Sequence, residues 1–130
     1  MSVGILIISH DGIGPAVLGT AMSMLGDSPL KAKLLAASRD CNPDELCADA
    51  LEQMELLDEG DGVLIITDLY GSTPSNIAQK LATRKNVRAV SGLNLSMLIR
   101  ILNYPRLDLE QLTEKAISGG KEGINLIKST

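Results

Sequence analysis

Apolar residues along this chain follow two patterns. Val3-Gly4-Ile5-Leu6-Ile7-Ile8-Ser9 and Val63-Leu64-Ile65-Ile66-Thr67 are short, continuous runs rich in β-branched side chains. Such runs predict strands buried on both faces, as in parallel sheets. Lys33 to Ala37 is a weaker strand, and Val87 to Val90 a fourth. Between them the apolar positions change to helical spacing. Pro15 suits a first helical turn, Ala16, Val17, Thr20, Ala21, Met24 and Leu25 recur with that period, and Gly26 closes the segment. Asn42-Pro43-Asp44-Glu45 combines a cap, a first-turn proline and two acids that favour a helix start. Leu46, Ala50, Met54 and Leu57 give that helix one apolar stripe, and Gly60-Asp61-Gly62 turns the chain. Thr73-Pro74 starts another helix, lined inside by Ile77, Ala78, Leu81 and Ala82. Asn94 to Leu102 reads as helical, Tyr104-Pro105 breaks the chain, and Leu107 to Ile127 reads as a helix weakened at Gly119, Gly120 and Gly123.

Strands therefore alternate with helices throughout. The pattern predicts one α/β domain over residues 1–130, with three layers and a central, mainly parallel sheet flanked by helices. A chain of 130 residues is long enough for a single proper core. With aromatics at 2% and no Phe or Trp, that core must be built from Leu, Ile, Val, Ala and Met. The same scarcity removes the stacking platforms that bases need, and a net charge of -4 gives no basic surface for phosphates, so no nucleic acid partner is expected. Cys41 and Cys47 have no second Cys/His pair to complete a metal site, and Cys47 inside a helix reads as apolar filler. The opening apolar run is too short to span a membrane and lacks a basic start, so the expected location is the cytoplasm, without direct membrane insertion.

In open α/β sheets, ligands gather at the carboxyl ends of the strands. Ser9-His10 follows the first strand, Asp68 the third, and Ser91-Gly92-Leu93-Asn94 the fourth. If the first and third strands are neighbours, His10 and Asp68 face one crevice. His10 is the one histidine. It lies beside the glycine-rich turn of Gly12 and Gly14 and ahead of a helix N-terminus, whose free N–H groups suit a phosphoryl group. A carboxylate from Asp68 would fix the imidazole tautomer and leave the other nitrogen nucleophilic. Gly71-Ser72-Thr73-Pro74 offers hydroxyls and backbone donors, with Thr73 as cap and Ser72 free to reach a phosphate. Asn76 and Asn94 stand near the same end. Competing motifs fail. Val17 occupies the third glycine position of a dinucleotide fingerprint, Glu122 follows Gly119-Gly120-Lys121 where a P-loop needs Ser or Thr, and Ser72 has no second histidine as base.

Ile5 to Leu25 with Ser9-His10, Asp68 to Asn76, and Gly92 to Leu98 together resemble three signatures of the enzyme IIA domain of the mannose/fructose/sorbose-type sugar phosphotransferase system (PTS). They occur in the right order and span essentially the whole chain. The resemblance implies a phosphotransferase without cofactor or metal, usually a homodimer. It implies that His10 takes a phosphoryl group from the phosphocarrier protein HPr and passes it to a histidine of a IIB protein, with peripheral membrane association through IIB and IIC. Asp68 would hydrogen-bond His10, and Ser72 or Thr73 would contact the phosphoryl group. The alternative is a regulatory phosphoprotein whose His10 state controls partner binding. A phosphotransfer subunit serving dihydroxyacetone kinase shares the fold but fits the Gly71 to Asn76 segment less well. Three departures from the pattern stand out: Asp11, where small residues are common, Ser72, where many members have a second glycine, and Ser96, where Pro is common. The chain is expected to end after this one domain, without a linker, a IIB domain or an extra strand.

Overall fold

The computed structural model describes residues 2–27 and 30–129. The elements run β1 (Gly4–His10), α1 (Ile13–Leu25), β2 (Ala32–Ala37), α2 (Pro43–Leu57), β3 (Val63–Thr67), α3 (Thr73–Leu81), β4 (Val87–Val90), α4 (Leu95–Leu102) and α5 (Leu109–Glu122). The sheet order is β2-β1-β3-β4, and every pairing is parallel. The mainly parallel α/β sheet expected from the sequence is thus present, with its two continuous apolar runs as the central strands.

Central position explains those runs. Successive side chains of a strand point to opposite faces. Ile5, Ile7, Leu64 and Ile66 join one cluster with α1, α4 and α5. Leu6, Ile8, Val63 and Ile65 join the other with α2 and α3. Both faces are covered, so no polar position is tolerated until the strand ends. Burying each of these Val, Leu and Ile side chains contributes about 1.5–3 kcal/mol. Cys41 and Cys47 are free thiols packed at the edge of the second cluster, as filler.

Helix starts follow local chemistry. The Asn42 side chain accepts from the N–H groups of Asp44 and Glu45. Asp108 and Gln111 form a reciprocal capping box, which moves the start of the last helix from Leu107 to Leu109. Its end also differs from expectation: α5 stops at Glu122, and residues 124–129 form neither helix nor strand. Gly123 lies against Ser96, near the beginning of α4. Beyond it α4 offers no further surface, and a glycine-weakened helix without packing does not persist.

The glycines that weaken α5 locally are also what lets it approach α4. A Cβ on Gly119 would stand 2.5 Å from the Cβ of Arg100. Alanine in a helix gains about 1 kcal/mol over glycine, but this clash is with an atom fixed to the backbone, and overpacking costs about 1–3 kcal/mol. Gly119→Ala is therefore expected to lower the melting temperature by several degrees. Gly19→Ala on α1, where a Cβ meets nothing within 4 Å, should raise it, as calorimetry of both variants would show.

Candidate functional site

The chain leaves β1 toward β2 on one side, and β3 lies on the other with β4 beyond it. The gap between the carboxyl ends of β1 and β3 is therefore the switch point of the sheet. Register decides what meets there. Ile8 pairs with Thr67, so His10 and Asp68 leave the two strand ends side by side.

Asp68 is bonded to His10 twice over. Its Oδ2 accepts the backbone N–H of His10 at 3.0 Å. The imidazole Nδ1 lies 2.9 Å from Oδ2 and 3.1 Å from Oδ1. Oδ1 also accepts the N–H of Leu69 at 3.0 Å. An ionised carboxylate only accepts, so Nδ1 carries the proton and the ring lone pair is left on Nε2. The Asp68 side chain is 8% exposed and that of His10 43% exposed. Burial by itself pushes the Asp68 carboxyl up, but hydrogen bonds from the His10 backbone and ring, with attraction to the ring, hold it below its ordinary value. The pair is a fixed, oriented imidazole that remains partly open to solvent.

The turn after His10 is drawn tight. Ser9, fully buried, accepts the N–H of Gly14 at 2.8 Å on its Oγ. A Cβ on Gly14 would come 2.6 Å from that oxygen. Gly12 is the N-cap of α1 and has no side chain to satisfy the first N–H groups of the helix. Asp11 takes a φ of 24° to make the turn. Ser9 and Gly14 were not singled out as a pair by the sequence. The available signal was a hydroxyl ending an apolar run, with glycine five residues later.

Across the crevice, Gly71 has a φ of 84°, which glycine adopts without strain. The cap of α3 is Ser72, and Thr73 is the first helical residue, contrary to the expectation that Thr73 caps. The reason is local. The Ser72 hydroxyl donates back to the carbonyl of Leu69 at 2.6 Å, so Ser72 occupies the cap position while its side chain closes the loop and leaves the helix N–H groups without a side-chain cap. Thr73 and Asn76 line a cleft with Pro43, Ile77 and Lys80, between α2 and α3. Asn94 is engaged structurally: its Oδ1 accepts the N–H of Met97 at 2.8 Å and its Nδ2 donates to the carbonyl of Gly120 at 3.2 Å. Around the crevice, Ile13, Leu69 and Tyr70 are exposed apolar side chains, Tyr70 at 83%. Among the described residues no group of three or more His, Cys, Asp or Glu side chains could hold a metal ion, and no helix is long and apolar enough to cross a membrane.

Comparison with known proteins agrees with this architecture. The family model described as "PTS system fructose IIA component" matches residues 4–117. The "PTS system mannose-specific EIIAB component" of Escherichia coli is 27% identical over 136 aligned positions, covering 99% of this chain and 41% of that protein. The chain thus spans well under half the length of that relative. The "Transcriptional regulatory protein LevR" of Bacillus subtilis is 25% identical over 85% of the chain and 12% of its own length. Among solved structures, the mannose/sorbose-specific IIA subunit of Enterococcus faecalis superposes with a TM-score of 0.88 at 21% identity, covering 100% of this chain and 98% of that one. At that identity the likeness is one of fold.

Because the folded Asp68 carboxyl lies below its unfolded value, its contribution to stability is complete above pH 3.8 and is lost as the pH falls through the lower folded value. Asp68→Asn is expected to cost about 1–3 kcal/mol at neutral pH. The difference from the parent should close on acidification below pH 3.8, as urea midpoints across the pH range would report.

Proposed function

Because the chain belongs to the IIA component family of the sugar phosphotransferase system, we propose that it is a phosphoryl carrier that accepts a phosphoryl group from phospho-HPr on His10 and hands it to a histidine of a IIB protein. The observation that carries this reading is the Asp68 carboxylate on Nδ1 of His10, which occupies that nitrogen and leaves Nε2 of the 43% exposed ring as the one to react. In the transfer, the Nε2 lone pair forms the new N–P bond while the donor's N–P bond breaks. The imidazole becomes cationic, and Asp68 balances that charge without moving a proton. Positioning and charge stabilisation supply the catalysis.

Phosphoryl oxygens would be met by the backbone N–H of Ile13 at the start of α1, since that of Gly14 is held by Ser9 and Pro15 has none, and by the Gly71-Ser72-Thr73 segment. Ser72 would have to release the Leu69 carbonyl to take part. Thr73 makes no hydrogen bond through its hydroxyl among the described residues, which favours it for this contact. The exposed Ile13, Leu69 and Tyr70 suit a protein partner, because the donor and acceptor must both press a histidine against Nε2. Residues 1–130 form one IIA domain in this reading, working in the cytoplasm without cofactor and reaching the membrane only through IIB and IIC.

A homodimer belongs to the same proposal. β4 pairs only with β3, leaving an open edge, and Ile124, Leu126 and Ile127 are at least 80% exposed. Such apolar surface is normally covered. Sedimentation is expected to give twice the 13.8 kDa chain mass, falling to one chain mass when Leu126 and Ile127 are replaced by Asp.

A second reading, a regulatory phosphoprotein, is favoured by the likeness to the transcriptional regulator over 85% of the chain. One experiment bears on both. Phosphoenolpyruvate with enzyme I and HPr is expected to place an acid-labile label on the wild type and none on His10→Ala. Persistent labelling of His10→Ala would overturn the carrier assignment. Passage of the label to a IIB protein supports transport. Retention of the label, with partner binding that changes with it, supports regulation.

A further inference from the structure

Asp11 is the one non-glycine residue with positive φ among the described residues. Glycine would take that conformation freely, whereas a side chain there is disfavoured. Both ends of the turn impose it. The buried Ser9 hydroxyl binds the Gly14 N–H, and Gly14 packs so closely that any Cβ would strike Ser9 and crowd Ile7 and Leu34. Only the two residues Asp11 and Gly12 remain to turn the chain from β1 into α1. The backbone shape is therefore fixed by its surroundings, but nothing in the packing asks for a carboxylate, since Asp11 is exposed. A strained residue kept beside a nucleophile points to function.

Its charge is also uncompensated. The ion pairs among the described residues are His10–Asp68, Lys31–Glu59 and Arg100–Glu122. Asp11 joins none of them. Asp68 differs in kind, because the imidazolium formed on phosphorylation neutralises it. Consecutive Cα atoms are about 3.8 Å apart, so the Asp11 carboxylate cannot escape the field of a phosphoryl group on Nε2.

We propose that Asp11 raises the transfer potential of the phosphoryl group on His10. The inference rests on the carrier reading above. When Nε2 bonds to phosphorus and the N–P bond of a donor phosphohistidine breaks, the electron pair of that bond returns to the donor ring. The Nδ1 proton stays on the ring, hydrogen-bonded to Asp68. The net change near Asp11 is one negative charge, a phosphoryl dianion on a ring that has become cationic. Repulsion raises the free energy of the phosphorylated form, so His10 fills less readily from a given donor and discharges more readily to a given acceptor. Across roughly 8 Å of water at low salt the effect corresponds to about a two- to fivefold shift in partition, and screening at physiological ionic strength reduces it to less than about twofold.

The test is the equilibrium share of phosphoryl between HPr and the wild type, Asp11→Asn and Asp11→Gly, at low and high ionic strength. Asn removes the charge and keeps the shape, whereas Gly removes the strain as well. Both variants are expected to hold about two- to fivefold more phosphoryl at low salt and to converge on the wild type at high salt. A shift in Gly without one in Asn, a shift insensitive to salt, or no shift would overturn the proposal. If the wild type takes nothing from HPr, the carrier reading fails by itself, and phosphoramidate, a small anionic donor, serves instead. Faster labelling of His10 in Asp11→Asn then supports the role of Asp11, and labelling no faster than in the wild type overturns it.

Discussion

The Asp68 carboxylate joins the ends of β1 and β3, and the arrangement of the site follows from that contact. It binds the backbone N–H of His10 as well as its ring, so it fixes both where the residue sits and how the imidazole is turned. A third hydrogen bond, from Leu69, ties the same carboxylate to the loop that leads into α3. Three donors around one buried carboxylate hold it ionised against the cost of its burial. The geometry exists only because the two strands are parallel neighbours in a register that pairs Ile8 with Thr67. A slip of one residue would send the carboxylate to the opposite face of the sheet.

Around this contact the fold is held by close approaches between backbones. Gly14 brings the first turn of α1 onto the end of β1, and Gly119 brings α5 onto α4 at Arg100. In both places the missing side chain leaves the space that its neighbour fills. The consequences differ. At α5 the result is packing alone. At α1 it also leaves a short, strained turn at the mouth of the crevice, and that turn carries Asp11.

The two faces of the sheet contribute unequally to this picture. α1, α4 and α5 close one side over Ile5, Ile7, Leu64 and Ile66, while α2 and α3 close the other. With both faces buried, the strand ends are the place where polar chemistry can meet solvent, and His10 is the half-exposed member there. The exposed Leu69 and Tyr70 beside it give the crevice an apolar rim, which fits the proposed exchange between protein partners.

Much of this was legible in the order of the residues. Continuous Val/Ile/Leu runs can only be central strands of a sheet covered on both faces, and Asn42-Pro43-Asp44-Glu45 can start a helix from its own side chains. These are local consequences of backbone sterics, capping and periodicity, so the sequence by itself determined the α/β class and the candidate residues His10 and Asp68. It did not determine that they touch, because they are 58 residues apart and their meeting depends on strand order and register. Nor did local rules end α5 at Glu122, which turns on where α4 stops offering surface. Only the tertiary structure decided those two points, because each depends on what lies across a gap that the chain itself does not span.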